Sequence, residues 1–306
     1  MNAVLLIDKP SGPTSHDIVA RVRRILGEKR CGHTGTLDPF ATGLLILCLG
    51  RATRLSRFLT SAFKSYVATI RFGYATDTYD RTGTPLGDVR DYEPERDALV
   101  RTLSSFEGRG MQRPPAFSAK KLDGKRLYQL AREGVPVTAR PVEVEIQELE
   151  LLDLEGGQAR IRVTVSSGTY IRSLAHDVGE KLGVGAHLSE LRRTAVASFS
   201  VSEAIDMDTL ETLDGIDRQV GAGTSLLSPE DALRDLPSVE VGPDAARRLV
   251  NGQPPRWDEL GSAWDAQTAP PHIRVLGPSG ELLAVCGPDK RGIRPFVVWG
   301  QSAKTL

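Results

Sequence analysis

Residues 32–43 read Gly-His-Thr-Gly-Thr-Leu-Asp-Pro-Phe-Ala-Thr-Gly, which places one carboxylate, Asp38, among small residues and hydroxyls. An ionised carboxylate in such surroundings can serve as a nucleophile or as a general base. Pro39 presets the backbone at this step, and Gly32, Gly35 and Gly43 admit a close approach by another chain or a ligand. The Asp-Pro pair also has a structural use, because Asp as N-cap followed by Pro in the first helical position is a common helix start. The composition of the whole run, followed by the apolar residues 44–49, points to a prepared site.

Such a loop needs a frame. Apolar residues 4–7 read as a buried strand ended by the turn Pro10-Ser11-Gly12-Pro13. Ser15 is expected to cap a helix in which Ile18, Val19, Val22, Ile25 and Leu26 recur at helical spacing and Gly27 supplies the stop. Tyr66, Ala68, Ile70 and Phe72 alternate with Val67, Thr69 and Arg71, as in a strand whose faces differ. Ile161, Val163 and Val165 alternate too. After Ser166-Ser167-Gly168-Thr169 the period changes to Ile171, Leu174, Ala175, Val178 and Leu182, which is helical, with Arg172 in the first turn and off the apolar face. Glycines thicken between residues 215 and 223, as in a connection between domains. Ser228-Pro229 then reads as a capped helix start. Short apolar runs at 239–241, 273–276, 282–285 and 293–299, a turn at 277–280 and one helix near 245–250 predict a small β-rich unit, with 264–271 as an insertion. The expected organisation is one domain over residues 1–235 and a second over 236–306.

Composition excludes several classes. Cys31, Cys48 and Cys286 form no Cys-x-x-Cys pair, so neither a disulfide framework nor a zinc site is expected, and the cytoplasm, a reducing compartment, is the expected location. The five histidines, at 16, 33, 176, 187 and 272, lack metal-ligand spacing, so no metal is expected. There is no phosphate-binding Gly-Lys-Ser/Thr loop, and Gly183-Val184-Gly185 ends a helix rather than following a strand, so no nucleotide cofactor is expected either. No apolar stretch suits a secretory leader or a bilayer span. The net charge is zero, with 39 basic and 39 acidic residues, yet the charges are not evenly spread. Residues 109–140 carry Arg109, Arg113, Lys120, Lys121, Lys125, Arg126, Arg132 and Arg140 against only Asp123 and Glu133. Pro114, Pro115, Phe117 and Tyr128 interleave with these charges, as suits an ordered loop on a phosphate backbone.

The run around Asp38 resembles the catalytic motif of bacterial tRNA pseudouridine synthases of the TruB family. Four further blocks resemble the family in the same order: Leu6 to Gly12 with Thr14-Ser15-His16-Asp17; Lys64-Ser65-Tyr66-Val67 with Gly73 and Thr76-Asp77-Thr78; Ser167-Gly168-Thr169-Tyr170-Ile171-Arg172; and Gly185-Ala186-His187 to Leu191-Arg192-Arg193. The resemblance implies an α+β fold: a catalytic domain on a mixed, mainly antiparallel β-sheet flanked by helices and loops, an RNA-gripping thumb near residues 109–140, and a C-terminal PUA-like domain. It implies an isomerase that converts uridine 55 in the T loop of tRNA to pseudouridine, with no cofactor. In this reading Asp38, Tyr66 and Arg172 are catalytic, and His33, Tyr66, Tyr170, Leu191 and Lys9 bind substrate or shape its pocket.

Arg172 would keep Asp38 ionised; on spacing alone it serves equally as a helix-surface partner of Asp177 or Glu180. Tyr66 would stack on the flipped uracil and help remove its C5 proton, while Tyr170 and Leu191 would wall the pocket. Lys9 would order the pocket floor by joining strand and loop. The target base must leave its RNA stack, and the resemblance gives His33 the task of filling the space it vacates. The basic thumb favours a stand-alone enzyme over a guide-dependent one; tRNA, through its T arm, is the expected partner, and a monomer with no obligatory protein partner is expected. The alternatives are a guide-RNA-dependent synthase and an RNA-folding factor without catalysis.

Overall fold

The structure, a computed structural model, describes residues 1–117, 139–213, 225–260 and 264–300, together with the strand pairing of 121–122 and 125–126. The glycine-rich connection at 215–223, Lys120, Arg132 and the side chains of Lys121, Lys125 and Arg126 lie outside the described residues.

Strands β1 (Ala3–Lys9), β2 (Cys31–His33), β3 (Thr42–Leu49) and β4 (Lys64–Phe72) come first, and β5 (Ala75–Thr76) and β6 (Pro85–Leu86) form a small separate ribbon. Then follow β7 (Gly108–Gln112), the ribbon β8 (Lys121–Leu122) and β9 (Lys125–Arg126), β10 (Val142–Glu155), β11 (Gln158–Val165), β12 (Ala186–Val196), β13 (Phe199–Ser200), β14 (Ile205–Asp206) and β15 (Leu226–Leu227). The main sheet runs β14-β1-β3-β12-β4-β11-β10-β7, with β2 beside β3, β13 beside β12 and β15 beside β1. In it, only β1–β14 and β3–β12 pair in parallel, so the sheet is mixed and mainly antiparallel.

The centre of this sheet is buried on both faces. Leu45, Leu47 and Leu49 pack with Ile18, Val19 and Val22 of the Ser15–Leu26 helix and with Leu174, Ala175 and Val178 of the Ile171–Leu182 helix. Leu44, Ile46 and Cys48 face the other way, onto Phe58, Leu59, Leu282, Val285 and Val297. A strand covered on both sides reads as one unbroken apolar run rather than an alternation, which is the pattern of residues 44–49. Each such leucine contributes about 1.5–3 kcal/mol by leaving water. By contrast β4 alternates, with Tyr66, Ala68, Ile70 and Phe72 buried and the residues between them half-exposed.

Three expectations change in detail. The first helix is capped by Thr14, not Ser15: the Thr14 side chain accepts from the Asp17 N–H, and the Asp17 carboxylate accepts from the Thr14 N–H at 2.8 Å. Ser15 is buried instead and bonds the Leu37 carbonyl, which fastens the helix start to the loop before Asp38. Residues 38–41 form a turn closed by the Ala41 N–H on the Asp38 carbonyl at 3.1 Å, not a helix start, because β3 begins at Thr42 and draws the chain into the sheet. Residues 109–112 belong to β7, paired with β10, so the segment that leaves the sheet begins after Gln112.

The C-terminal part forms a second sheet of β16 (Ser238–Glu240), β17 (Ile273–Leu276), β18 (Leu282–Asp289) and β19 (Gly292–Val298), with the Pro243–Val250 helix against β18. It packs on the main sheet through Leu282, Val285 and Val297. Arg51 Nη2 donates to the Trp299 carbonyl at 2.9 Å across the same seam. Within residues 264–271, Trp264 and Ala269 pack onto the second sheet's own core. Among the described residues no helix is long and apolar enough to cross a membrane.

Candidate active site

Asp38 stands on the turn between β2 and β3, and Arg172 rises from the first turn of the Ile171–Leu182 helix to meet it. Arg172 Nε lies 2.9 Å from Asp38 Oδ2, and Nη2 donates to Asp38 Oδ1 at 3.1 Å. The Nε contact is an ion pair without hydrogen-bond alignment. Such a two-pointed grip fixes the plane of the carboxylate as well as its charge. The remaining donors go inward: Nη1 to the Thr78 carbonyl at 3.0 Å and within 3.4 Å of Asp80 Oδ2, and Nη2 to the Phe117 carbonyl at 3.0 Å. The pairing on Asp177 or Glu180 that helix spacing allowed is not the one formed. The Arg172 side chain is 6% exposed, whereas Asp38 keeps 32% of its side-chain surface open. The carboxylate is therefore surrounded by protein yet reachable from outside. Burial pushes its pKa up; Arg172 opposes this, and the Asp80 charge adds to it.

The loop carrying Asp38 is clamped from below by buried cations. Lys9, fully buried, donates to the carbonyls of Pro10 (2.8 Å), Pro39 (3.2 Å) and Ala41 (2.7 Å). It joins the end of β1 to the turn that carries Asp38, and none of its surface is exposed. Burial lowers its pKa to about 8, with Asp38 opposing. Arg193 on β12 is also buried and donates to the carbonyls of Gly35 (3.1 Å) and Leu44 (2.6 Å), which brackets the loop at both ends. Gly43 is left-handed at φ +101°, and a Cβ there would overlap the Arg193 backbone. Only glycine fits this crossing of β3 and β12.

The apolar side of the site comes from the sheet. Tyr66, Leu37, Phe40, Ala41 and Leu191 share one buried cluster. Phe40 and Leu191 also line an adjoining cleft of about 760 Å³ with Ser11, Thr42, Val67, Thr69, Arg81, Arg160, Glu190, Arg192 and Thr194. Tyr170, at the N-cap of the arginine's helix, has its backbone held by the Gln112 amide, which donates to its carbonyl at 3.0 Å and accepts from its N–H at 2.8 Å. His33 ends β2 and is half-buried. Burial lowers its pKa, and the Arg193 and His16 charges act in the same direction, which favours the neutral ring.

Sequence reasoning missed Asp80 and gave Arg193 no role. Asp80 Oδ1 accepts from Thr78 Oγ1 (2.9 Å), the Thr82 N–H (2.9 Å) and Thr82 Oγ1 (2.6 Å), which turns Oδ2 toward Arg172. The signal was the spacing Thr78-x-Asp80-x-Thr82, two hydroxyls straddling one carboxylate.

Comparison with known proteins places the chain in a family. The family described as TruB family pseudouridylate synthase (N terminal domain) matches residues 23–171, and tRNA pseudouridylate synthase B C-terminal domain matches residues 172–233. A protein from Solibacter usitatus named tRNA pseudouridine synthase B is 44% identical over 285 residues, 93% of this chain and 95% of its own. One of the same name from Geobacter sulfurreducens is 43% identical over 288 residues, 93% of each chain. A solved H/ACA RNP bound to a substrate RNA containing 2'-deoxyuridine superposes with a TM-score of 0.76 at 25% identity, covering 98% of this chain and 86% of that one. With relatives this similar along nearly its whole length, and a carboxylate held open beside a cleft, the chain belongs to the TruB family of pseudouridylate synthases.

Proposed function

We propose that the chain isomerises uridine 55 in the T loop of tRNA to pseudouridine without a guide RNA, with Asp38 as the acting carboxylate. The observation that carries this reading is the Asp38 carboxylate, gripped at 2.9 and 3.1 Å by a buried Arg172 yet 32% open. The reaction breaks the bond from C1′ to N1, turns the uracil and forms a bond from C1′ to C5; the C5 proton leaves and N1 gains one. It balances without a donor, an oxidant or a cofactor. Asp38 acts on the sugar at C1′ or C2′, and Arg172 holds it ionised and oriented against the upward pull of burial.

Tyr66 supplies a ring for the flipped uracil and a phenol near its C5 proton. Leu191 and Phe40 keep water from the detached base, and Tyr170 closes the pocket. His33 fills the gap left in the RNA stack. Lys9 and Arg193 hold the catalytic loop. The basic segment at 109–140 and the second sheet, a PUA-like domain from about residue 236, grip the T arm through its shape and phosphates. The protein works as a cytoplasmic monomer without an obligatory protein partner. That basic segment, together with relatives named for tRNA, favours this reading over a guide-dependent one.

The test is tritium release from a T-arm hairpin carrying 5-tritiated uridine, using purified protein alone. Release at catalytic enzyme, and none from Asp38→Asn with RNA binding retained, is the expected result. No release at stoichiometric wild-type enzyme refutes the function.

A further inference from the structure

Tyr79 adopts φ +63° in the left-handed region, a conformation that bulky side chains rarely take. Its two neighbours are the residues that reach Arg172: the Thr78 carbonyl accepts from Nη1 at 3.0 Å, and Asp80 Oδ2 lies 3.4 Å from the same nitrogen. A left-handed residue reverses the chain locally, and this reversal brings the carbonyl before it and the carboxylate after it to one guanidinium nitrogen. The side chain of Tyr79 then lies flat on His176, with ring centroids 3.9 Å apart and planes 7° from parallel. His176 stands four residues after Arg172 on the same helix, so the two side chains rise from one face, a turn apart.

The turn's backbone is anchored elsewhere. The Leu188 N–H donates to the Tyr79 carbonyl at 3.0 Å, and the Arg81 N–H donates to the Leu188 carbonyl at 2.9 Å, so these bonds tie the turn to β12. The ring stack ties it instead to the helix that carries Arg172. We infer that the Tyr79–His176 stack is a positioning pair for the isomerisation: it seats Thr78 and Asp80 against Arg172 and thereby fixes the orientation of the Asp38 carboxylate. This rests on the catalytic reading of Asp38 and Arg172. Neither ring touches the substrate; the pair acts through the guanidinium.

Tyr79→Gly tests this, because glycine suits φ +63° and removes the ring without straining the fold. Single-turnover pseudouridine formation and RNA affinity are measured on the full chain. Tyr79→Gly and His176→Leu are each expected to slow the chemical step about tenfold to a hundredfold, the scale of a small misplacement of reacting groups, with Kd for the hairpin within about twofold of wild type. Tyr79→Phe keeps the stacking ring and is expected to restore the rate. The double variant Tyr79→Gly/His176→Leu is expected to lose no more than either single one, because the two rings act as one unit.

A wild-type rate in Tyr79→Gly, or double-variant losses that multiply, overturns the inference. If the wild-type chain itself forms no pseudouridine, the catalytic reading fails, and the inference with it. An active wild type with an unaffected Tyr79→Gly refutes the stack alone.

Discussion

Removing the Arg172 guanidinium should make the Asp38 carboxylate harder to ionise, and the structure sets how much. Two unit charges about 4 Å apart attract by about 4 kcal/mol at an effective permittivity of about 20. Solvent reaching the 32%-open Asp38 side chain weakens this, while Asp80, no longer screened by Arg172, adds in the same direction. The net expectation for Arg172→Met is an acid limb of the rate–pH profile displaced upward. The sign follows from the active form being the carboxylate: a raised pKa removes it at higher pH, so the variant loses more activity at pH 6 than at pH 9. Arg172→Lys keeps a cation without the planar fork and should shift the limb about half as far. Leaving Asp80 and two carbonyls unpaired costs about 3–5 kcal/mol of stability in the Met variant, so rates are taken well below its Tm. Single-turnover tritium release from pH 5 to 9 is the assay. An acid limb that coincides with wild type would refute the reasoning that Arg172 sets the ionisation of Asp38.

Lys9 and Lys64 predict a stability profile. Both have folded pKa values near 8 against an ordinary 10.5, so between these limits the unfolded chain binds more protons and stability rises with pH. The penalty, about 3 kcal/mol for each lysine, is fully present below pH 8 and gone above 10.5. Lys9→Met should halve the rise in denaturant midpoint over that window, and an unchanged rise would mean that burial does not depress the Lys9 pKa in the fold. Gly43→Ala should destabilise by about 3 kcal/mol, from left-handed strain and the clash with Arg193, and a loss below about 1 kcal/mol in urea unfolding would contradict the close crossing of β3 and β12. Neutralising Lys120, Lys121, Lys125 and Arg126 together should lower the slope of log affinity against log salt by about 0.7–0.9 for each phosphate that these side chains had neutralised, and an unaltered slope would remove the thumb from RNA binding.

The frame was legible wherever one physical signal dominated. Residues 66–72 alternate because one face of β4 is core and the other half-open, and the change of period at residues 166–171 marks where β11 ends and the arginine's helix begins. Both edges of the first helix were marked, yet Thr14 displaced Ser15 as its cap, because Ser15 is drawn into the core by Leu37. The turn at Asp38 was ambiguous between cap and site, since Asp-Pro serves both; the onset of β3 decided it.

By itself the sequence determined the α+β layering, the loop that presents Asp38 and the kinship of the chain, because these depend on local period, turn chemistry and motif order. Only the tertiary structure decided which charges meet. Asp38, Asp80 and Arg172 are separated by long stretches of chain, and β3, β12 and the Ile171–Leu182 helix bring them together with the buried cations Lys9 and Arg193. Electrostatic partners are chosen by distance and burial in three dimensions, and no spacing along the chain encodes either.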